Sequence, residues 1–499
     1  MSGAIRREVM NMIDHLFVIG VGGTGAKAVR AFTHLCAMGL GPKTVDIFLI
    51  DLDTNNGDVQ LTQNTIEAYL KVKERLGEGN SSLYFKSDIN LLTPEPWSPL
   101  TFLDMSSNTL GGYLNYLATI KKYRSFEKLL FSADELNVPL SSGCKAHPNI
   151  GSFLIAPIFQ DLKFIDPLKK TLQKQDSGIF VFNSIFGGTG AAGGPVIIKG
   201  IDELFIDQEQ GDDKTAQEGK FNRRPIGGSI FMPYFIIPES KDDDEILKIK
   251  SETFDYNAAG ALPFYKDSVP ANSIYVLGDR YKSILNEYAS GSTDQRNPAH
   301  MLEFFGALFA LDFCKQKFDL TKKLPPKFYT ITFGRETGKD EKDDNGIYFE
   351  DLPDITFEND VKLDRKLINF QVFDIFYRHF FEQSSGAKTK DYVWLHNLLK
   401  PHNIGLDNIF FEQTNTYMGI YHQWMEQMHK NTAPLCLFNS RESIGLLLAN
   451  KELPPLKKLD HLHRHLNTTE AGKAENVFTN VINMFYNGIN TYLDSKTRK

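Results

Sequence analysis

Two short segments constrain the fold of this chain more than any others. "LFVIGVGGTGAKAVR" (Leu16–Arg30) and "FNSIFGGTGAAGGPVII" (Phe182–Ile198) each read as an apolar run, a glycine-rich turn and a helical stretch. Apolar residues at successive positions mark a strand buried on both faces, as in a parallel sheet. After the first turn, Ala28, Phe32, Leu35 and Cys36 recur at helical spacing, and "TVDIFLIDLD" follows as a second strand. A strand, helix and strand in this order form a βαβ unit, which predicts an α/β fold with a parallel sheet and right-handed crossovers.

The turns themselves carry chemistry. Gly20, Gly22 and Gly25 fit G-x-G-x-x-G, with Gly23 and Thr24 between them. Glycine lets the backbone approach phosphate oxygens closely, and the free N–H groups of the helix start then donate to them. Asp51 and Asp53 end the next strand, where a carboxylate meets a ribose hydroxyl or a metal-bound water. The second turn offers Gly187, Gly188, Thr189, Gly190 and Ala191. A dinucleotide fold needs one phosphate loop per nucleotide, whereas a triphosphate lying across several strand ends is gripped from two sides. The plainer alternative is that the second turn only joins a strand to a helix. Neither turn has G-x-x-x-x-G-K-[ST], which excludes a P-loop NTPase.

Elsewhere the pattern is mixed. Residues 60–140 read as a largely helical insertion, broken by the prolines of "LLTPEPWSPL". The α/β pattern resumes with "GIFVFNSIF", "GGSIFMPYFIIP" and "NSIYVLGDR" as strands. "NPAHMLEFFGALFALDFC" is apolar on nearly every face and predicts a buried central helix that starts near Asn297 and His300. "PPKFYTITFGRE" then opens a C-terminal α+β region, which ends in the amphipathic "ENVFTNVINMFYNGINTYL".

Composition narrows the function. At 499 residues the chain suits two or three domains. Its net charge of −7 argues against direct nucleic-acid binding. Cys36, Cys144, Cys314 and Cys436 are too scattered for a zinc ribbon or a CxxC redox pair and read as reduced core residues of a cytoplasmic protein. No apolar stretch is long enough to predict a membrane span. The "HLHRH" histidines (His461, His463, His465) lack an evident carboxylate or cysteine partner, so they read as solvated rather than metal-binding. His422 and His429 read as part of a surface helix.

Taken in order, these segments resemble the tubulin/FtsZ superfamily of GTP-binding proteins. "VIGVGGTGAKAV" is similar to the first phosphate loop of FtsZ, and "LIDLDTNN" stands where the family has its second nucleotide loop. "GCKAHPNIGS" is similar to the γ-phosphate loop, with Pro148 and Gly151 on matching positions and Ala146 and His147 beside them. "FGGTGAAGGP" resembles the tubulin signature, and "SIYVLGDRY" the strand and turn before the central helix. Among relatives, the bacterial tubulin-like proteins look nearer than FtsZ or tubulin. The resemblance spans residues 12–335. It implies a Rossmann-type parallel-sheet GTPase domain over residues 12–296 with the insertion inside it. A central helix over 297–316 and a C-terminal α+β domain over 317–499 follow.

The resemblance further implies GTP, with Mg2+, as the bound nucleotide and head-to-tail assembly of the chain with itself into a filament or ring. Operon-encoded proteins are further candidate partners. Lys27, Asn297 and His300 fall where the family meets the base. Departures are present: Lys27 replaces an asparagine, and Phe186 and Ala192 replace signature glycines. The family's acidic catalytic loop, which completes a neighbour's site, reads here "KQKFDLTKKLPP", with Asp319 as its candidate acid.

Two other readings stay open. A ThiF-like adenylating enzyme shares a G-x-G-G-x-G loop and an acidic strand end, but it leaves the second glycine loop unexplained. A Rossmann NAD-dependent oxidoreductase would use Asp51 or Asp53 on a ribose, yet no catalytic His/Arg/Lys set is evident.

Overall fold

The order of the central strands places the functional site before any side chain is considered. A computed structural model describes residues 12–77, 81–99, 109–121, 130–140, 144, 147–210, 223–237, 251–280, 282–285, 293–320, 325–333, 346–357, 361–383, 392–437, 460–470 and 472–497. The strands are β1 (His15–Val21), β2 (Thr44–Ile50), β3 (Asp88–Leu91), β4 (Ser177–Ser184), β5 (Ile226–Phe231), β6 (Phe235–Ile236), β7 (Ser273–Asp279), β8 (Ser283–Ile284) and β9 (Lys327–Phe333). Seven of them form one parallel sheet in the order β3-β2-β1-β4-β5-β7-β9, and β6 and β8 make a small second ladder.

The helices are α1 (Gly22–Ala37), α2 (Gly57–Leu76), α3 (Leu110–Lys121), α4 (Ala133–Leu136), α5 (Pro148–Ile155), α6 (Leu162–Leu172) and α7 (Gly188–Gln210). After them come α8 (Ser251–Ser268), α9 (Met301–Lys315), α10 (Leu363–Gln383), α11 (Val393–Leu399), α12 (Ile409–His429), α13 (Asp460–Thr468) and α14 (Val477–Thr497). The α/β class and the parallel sheet are those the sequence predicts.

The near-continuous apolar strands are explained by two cores, one on each sheet face. Leu16 and Val18 of β1, with Phe180 and Phe182 of β4, face a core shared with α1, α9 and the C-terminal helices. Phe17, Ile19 and Val21, with Ile179 and Val181, face a second core under α5, α6 and α7. Strands buried on both sides have no polar face to display, so period-two alternation is absent from their sequences. The central helix α9 is buried along nearly its whole length, as its uniformly apolar sequence requires.

Three details differ from the sequence reading. The segment read as a helical insertion also contributes β3, which extends the sheet by pairing with β2 from Thr44↔Asp88 to Ile47↔Leu91. The strand in "PPKFYTITFGRE" pairs in parallel with β7 and completes the main sheet rather than opening a separate one. The described residues beyond 346 form α10–α14, two short 3-10 turns and, in place of strands, isolated bridges; Phe370, Tyr417, Trp424 and Phe485 join the same core as α1 and α9.

Candidate functional site

In a doubly wound sheet, the crevice opens at the carboxyl ends of the two strands where the order reverses. Here those strands are β1 and β4, which lie side by side from His15↔Ser177 to Val21↔Asn183. They are the two strands that end in Gly-Gly-Thr-Gly. The two glycine loops are therefore neighbours, and a Cβ placed on Gly22 would stand 3.2 Å from the Gly190 nitrogen.

The first loop is built under tight backbone constraints. Gly22 has φ +73°, a left-handed conformation that favours glycine. A Cβ on Gly25 would lie 2.4 Å from the Phe182 carbonyl oxygen, and one on Gly20 would lie 2.8 Å from Val29 Cγ2. These glycines bring α1 onto the sheet, leaving Gly23 and Thr24 half-buried at the crevice. In the second loop Gly190 packs against Ser184, while Gly187 remains half-buried.

Other helix starts join them. Asn56 caps α2, accepting from the Asp58 and Val59 nitrogens, and its side chain lies against Gly23. At α5, a Cβ on Gly151 would come 2.8 Å from the Gly188 carbonyl oxygen, so the Pro148 end of that helix stands beside the second loop. His147 precedes α5 and is half-buried, and Ala146 lies outside the described residues. The N-termini of α1, α2, α5 and α7 thus gather at one end of the sheet. None of α1, α5 and α7 carries an acidic side chain in its first turn. Their partial positive ends and unpaired N–H groups make a site for an anion.

Asp51 ties the loops together. Its Oδ1 accepts from the Asp53 nitrogen at 3.1 Å and from Thr189 Oγ1 at 3.3 Å, and its Oδ2 accepts from Asn56 Nδ2 at 3.1 Å. Burial pushes its carboxyl up to about 7, against the partial relief of those hydrogen bonds. Asp53 is buried beside it and accepts from the Asn55 nitrogen.

On the α2 side, the segment before α9 closes over the crevice. Asn56 Nδ2 donates to Gln295 Oε1 at 3.3 Å, Asn297 Nδ2 donates to Asp58 Oδ2 at 3.2 Å, and Lys27 Nζ donates to the Pro298 carbonyl at 2.7 Å. Lys27 also pairs with Glu303 Oε1 at 2.6 Å, and both side chains are almost wholly buried. Tyr234 donates to that same Glu303 oxygen at 2.8 Å. Burial pushes Asp58 up to about 6, with Lys27 and Arg30 working against the shift. His300 caps α9 through Nδ1, and its Nε2 stands 3.4 Å from Asp279 Oδ2. Lys27 and His300 are thus committed to holding the start of α9.

Asp319 sits apart. It follows α9 and is exposed. The carboxyl end of that helix, where the Cys314 carbonyl accepts from the Ile13 nitrogen, adjoins the opposite end of β1 from Gly22. A 15-residue helix, about 22 Å long, separates Asp319 from the α9 start. Four of the remaining histidine candidates, His422, His429, His463 and His465, have partners within the C-terminal helical region, and the side chain of His461 lies outside the described residues. His463 accepts from Trp394 Nε1 and stacks on Tyr392, His422 pairs with Asp374 and Glu426, and His429 Nδ1 stands 3.2 Å from the Leu435 carbonyl oxygen. No group of three or more His, Cys, Asp or Glu among the described residues forms a metal cluster, and no described helix is long and apolar enough to cross a membrane.

Sequence reasoning did not pick out Asn56, Asp58, Gln295 or Glu303. Asn56 had a readable signal, since "NNGD" before a helical stretch is an N-cap pattern. The others join segments more than two hundred residues apart in sequence, and no local pattern marks such pairs.

The sequence matches no protein-family model and no curated protein. Among solved structures, the chain is similar to CetZ2 from Haloferax volcanii in a GTPγS-bound protofilament, with 12% identity, a TM-score of 0.28 and coverage of 60% of this chain and 58% of that one. It is also similar to CetZ from Methanosaeta thermophila strain DSM 6194, with 15% identity, a TM-score of 0.25 and coverage of 61% and 54%. The matched part spans just over half the length of each.

Proposed function

We propose that this chain is a tubulin/FtsZ-like nucleotide-binding protein that holds GTP at the β1/β4 switch point and assembles head to tail with itself. The observation that carries this reading is the contact between the two glycine loops, Gly22 against Gly190, at the carboxyl ends of adjacent strands. Backbone N–H groups from the starts of α1 and α7 face the same crevice, so the phosphates of one nucleotide are gripped by both. The Pro148 end of α5 approaches from the side of the second loop, where a terminal phosphate would lie. Asp51 and Asp53 suit a Mg2+ that keeps most of its ligands from phosphate and water, the usual way that this ion is held. The bound ion would neutralise phosphate charge beside the two buried carboxylates.

Asp319 supplies the second half of the reading. It lies beyond the far end of α9 from the glycine loops, so it reaches a nucleotide only in another subunit. A subunit stacked with that end over the next one's crevice makes a heterologous interface, which propagates into a filament or closes into a ring. In that arrangement Asp319 is placed to orient water at the neighbour's phosphate.

The test is titration of the purified chain with a fluorescent GTP analogue, with competition by GTP, ATP and NAD, followed by light scattering. GTP is expected to compete best and to raise scattering. Gly23→Asp separates binding from folding. An acidic residue in the first turn suits α1 itself, and its nearest contact would be the Asn56 side chain. It sets a like charge against the phosphates and is expected to weaken binding by about 100-fold or more, the scale of a charge pair at about 4 Å under partial screening. ATP binding with pyrophosphate exchange would replace this reading by the adenylating one, and NAD binding without assembly by the oxidoreductase one.

A further inference from the structure

From the Pro148 end of α5 and the start of α7, beside the second glycine loop, a cleft of about 940 Å3 runs outward between α5 with its 3-10 extension (Ala156–Gln160), α7 and α8. Clefts of roughly 300–1,000 Å3 are the size that holds small ligands. The body of this one is apolar, with Phe159, Pro195, Leu204 and Phe264 among its walls. Two aromatic rings are left on α8 with large exposure, Tyr256 at 77% and Phe264 at 41%. Lys199 projects from α7 into the lining, with its ammonium 5.4 Å from the Phe264 ring centroid. It makes no ion pair among the described residues; Glu203, one turn further along α7, also lines the cleft but is exposed, whereas Lys199 is half-buried. Gly260 also lines the cleft, and a Cβ built there meets nothing within 4 Å.

We propose that this cleft binds a small amphiphilic acid, its apolar body between α5, α7 and α8 and its anionic group on Lys199. The chemistry is complementary part by part. An apolar body covers the aromatic and aliphatic walls, and an anion answers a half-buried cation that also lies over an aromatic face. A polar ligand would leave the walls uncovered, and a cation would face Lys199. The occupant also touches Pro148 and, near the start of α7, Ala191 and Ala192, so the cleft and the second glycine loop share one helix and adjoin.

The probe is 1-anilinonaphthalene-8-sulfonate, an aromatic acid whose fluorescence rises on entering an apolar site. Titration of the full chain is expected to show one saturable site. Gly260→Trp fills open space in the cleft and is expected to weaken the site by at least about tenfold, with the circular dichroism and melting temperature of the parent chain. Lys199→Glu, which reverses the charge at a partly exposed position, is expected to weaken it by a similar factor. Displacement by laurate but not by naphthoate identifies an acyl ligand, and the converse an aromatic one; either supports the site. Probe affinity unchanged in both folded variants, or the absence of any saturable site, overturns the proposal. The readout involves no nucleotide, so it stands or falls separately from the GTP reading.

Discussion

The two glycine loops share the tetrapeptide Gly-Gly-Thr-Gly yet use it differently. In the first, the glycines serve the backbone: Gly22 takes a left-handed φ, and Gly25 lies against the Phe182 carbonyl. The second has no positive φ; a Cβ on Gly187 would come no closer than 3.3 Å to Ser184 Oγ, although one on Gly190 would stand 2.6 Å from that oxygen and 3.0 Å from the Ser184 backbone. The threonines diverge as well, Thr189 donating to Asp51 while Thr24 stands on the Tyr234 side of the crevice. The first loop leads into the buried Lys27–Glu303 pair, whereas the second is tied through Thr189 to Asp51. The two loops differ at their opening glycine: Gly22 needs a left-handed φ and stands against Gly190, while Gly187 leaves room for a side chain.

The largest test of that contrast is Lys27→Met. Removing one member of a buried ion pair strands the other, at a cost of about 3–5 kcal/mol in urea unfolding. Adding Glu303→Gln leaves an acceptor for Tyr234 without a stranded charge and is expected to restore at least half of the loss. A neutral Lys27→Met would remove the claim that the first loop is held through α9. Next in size is Gly25→Ala, where the added methyl must displace strand backbone; overpacking of this kind costs about 1–3 kcal/mol.

Asp51→Asn addresses the contact between the loops. The Asp51 carboxyl is raised by burial to about 7, so the folded chain holds its proton more firmly than the unfolded chain does. Its contribution therefore makes stability fall as pH rises from about 4 to about 7, and Asp58, raised to about 6, acts in the same direction. The melting temperature of the nucleotide-free protein is expected to be higher at pH 5 than at pH 8, with a smaller difference in Asp51→Asn. An unchanged difference would mean that Asp51 is better solvated than its burial indicates. The smallest effect is expected from Gly187→Ala, within about 0.5 kcal/mol of the parent chain. A change as large as that of Gly25→Ala would erase the distinction between Gly187 and the glycines of the first loop.

What could be read from the sequence follows the range of the forces involved. β1, α1, β2, β4 and α7 were legible because apolar runs and glycine turns are local signals. β3 was not, since its four residues, "DINL", become a strand by pairing with β2 rather than by their own pattern. The strand in "KFYTITF" was legible, but its place beside β7 was not, because parallel pairing depends on residues far away in the chain. The same limit applies at the site. Gly20, Gly22, Gly25, Asp51 and the second loop were found from spacing, and the structure brings them together. Lys27 and His300 read from the sequence as residues that meet a base, and no local pattern marks the contacts they make in the structure with Glu303 and Asp279.

The pairing of β1 with β4 also governs when the site comes into being. The first loop lies in the opening residues of the described chain, while its partner follows only after β4 begins at Ser177. During folding the crevice is absent until that long loop has closed, and parallel pairings of this kind are slow to form. A ligand that spans both loops has no foothold on the unfolded chain. Its binding energy is added in full to the folded state, and protection by that ligand during refolding reports the moment at which β1 and β4 meet.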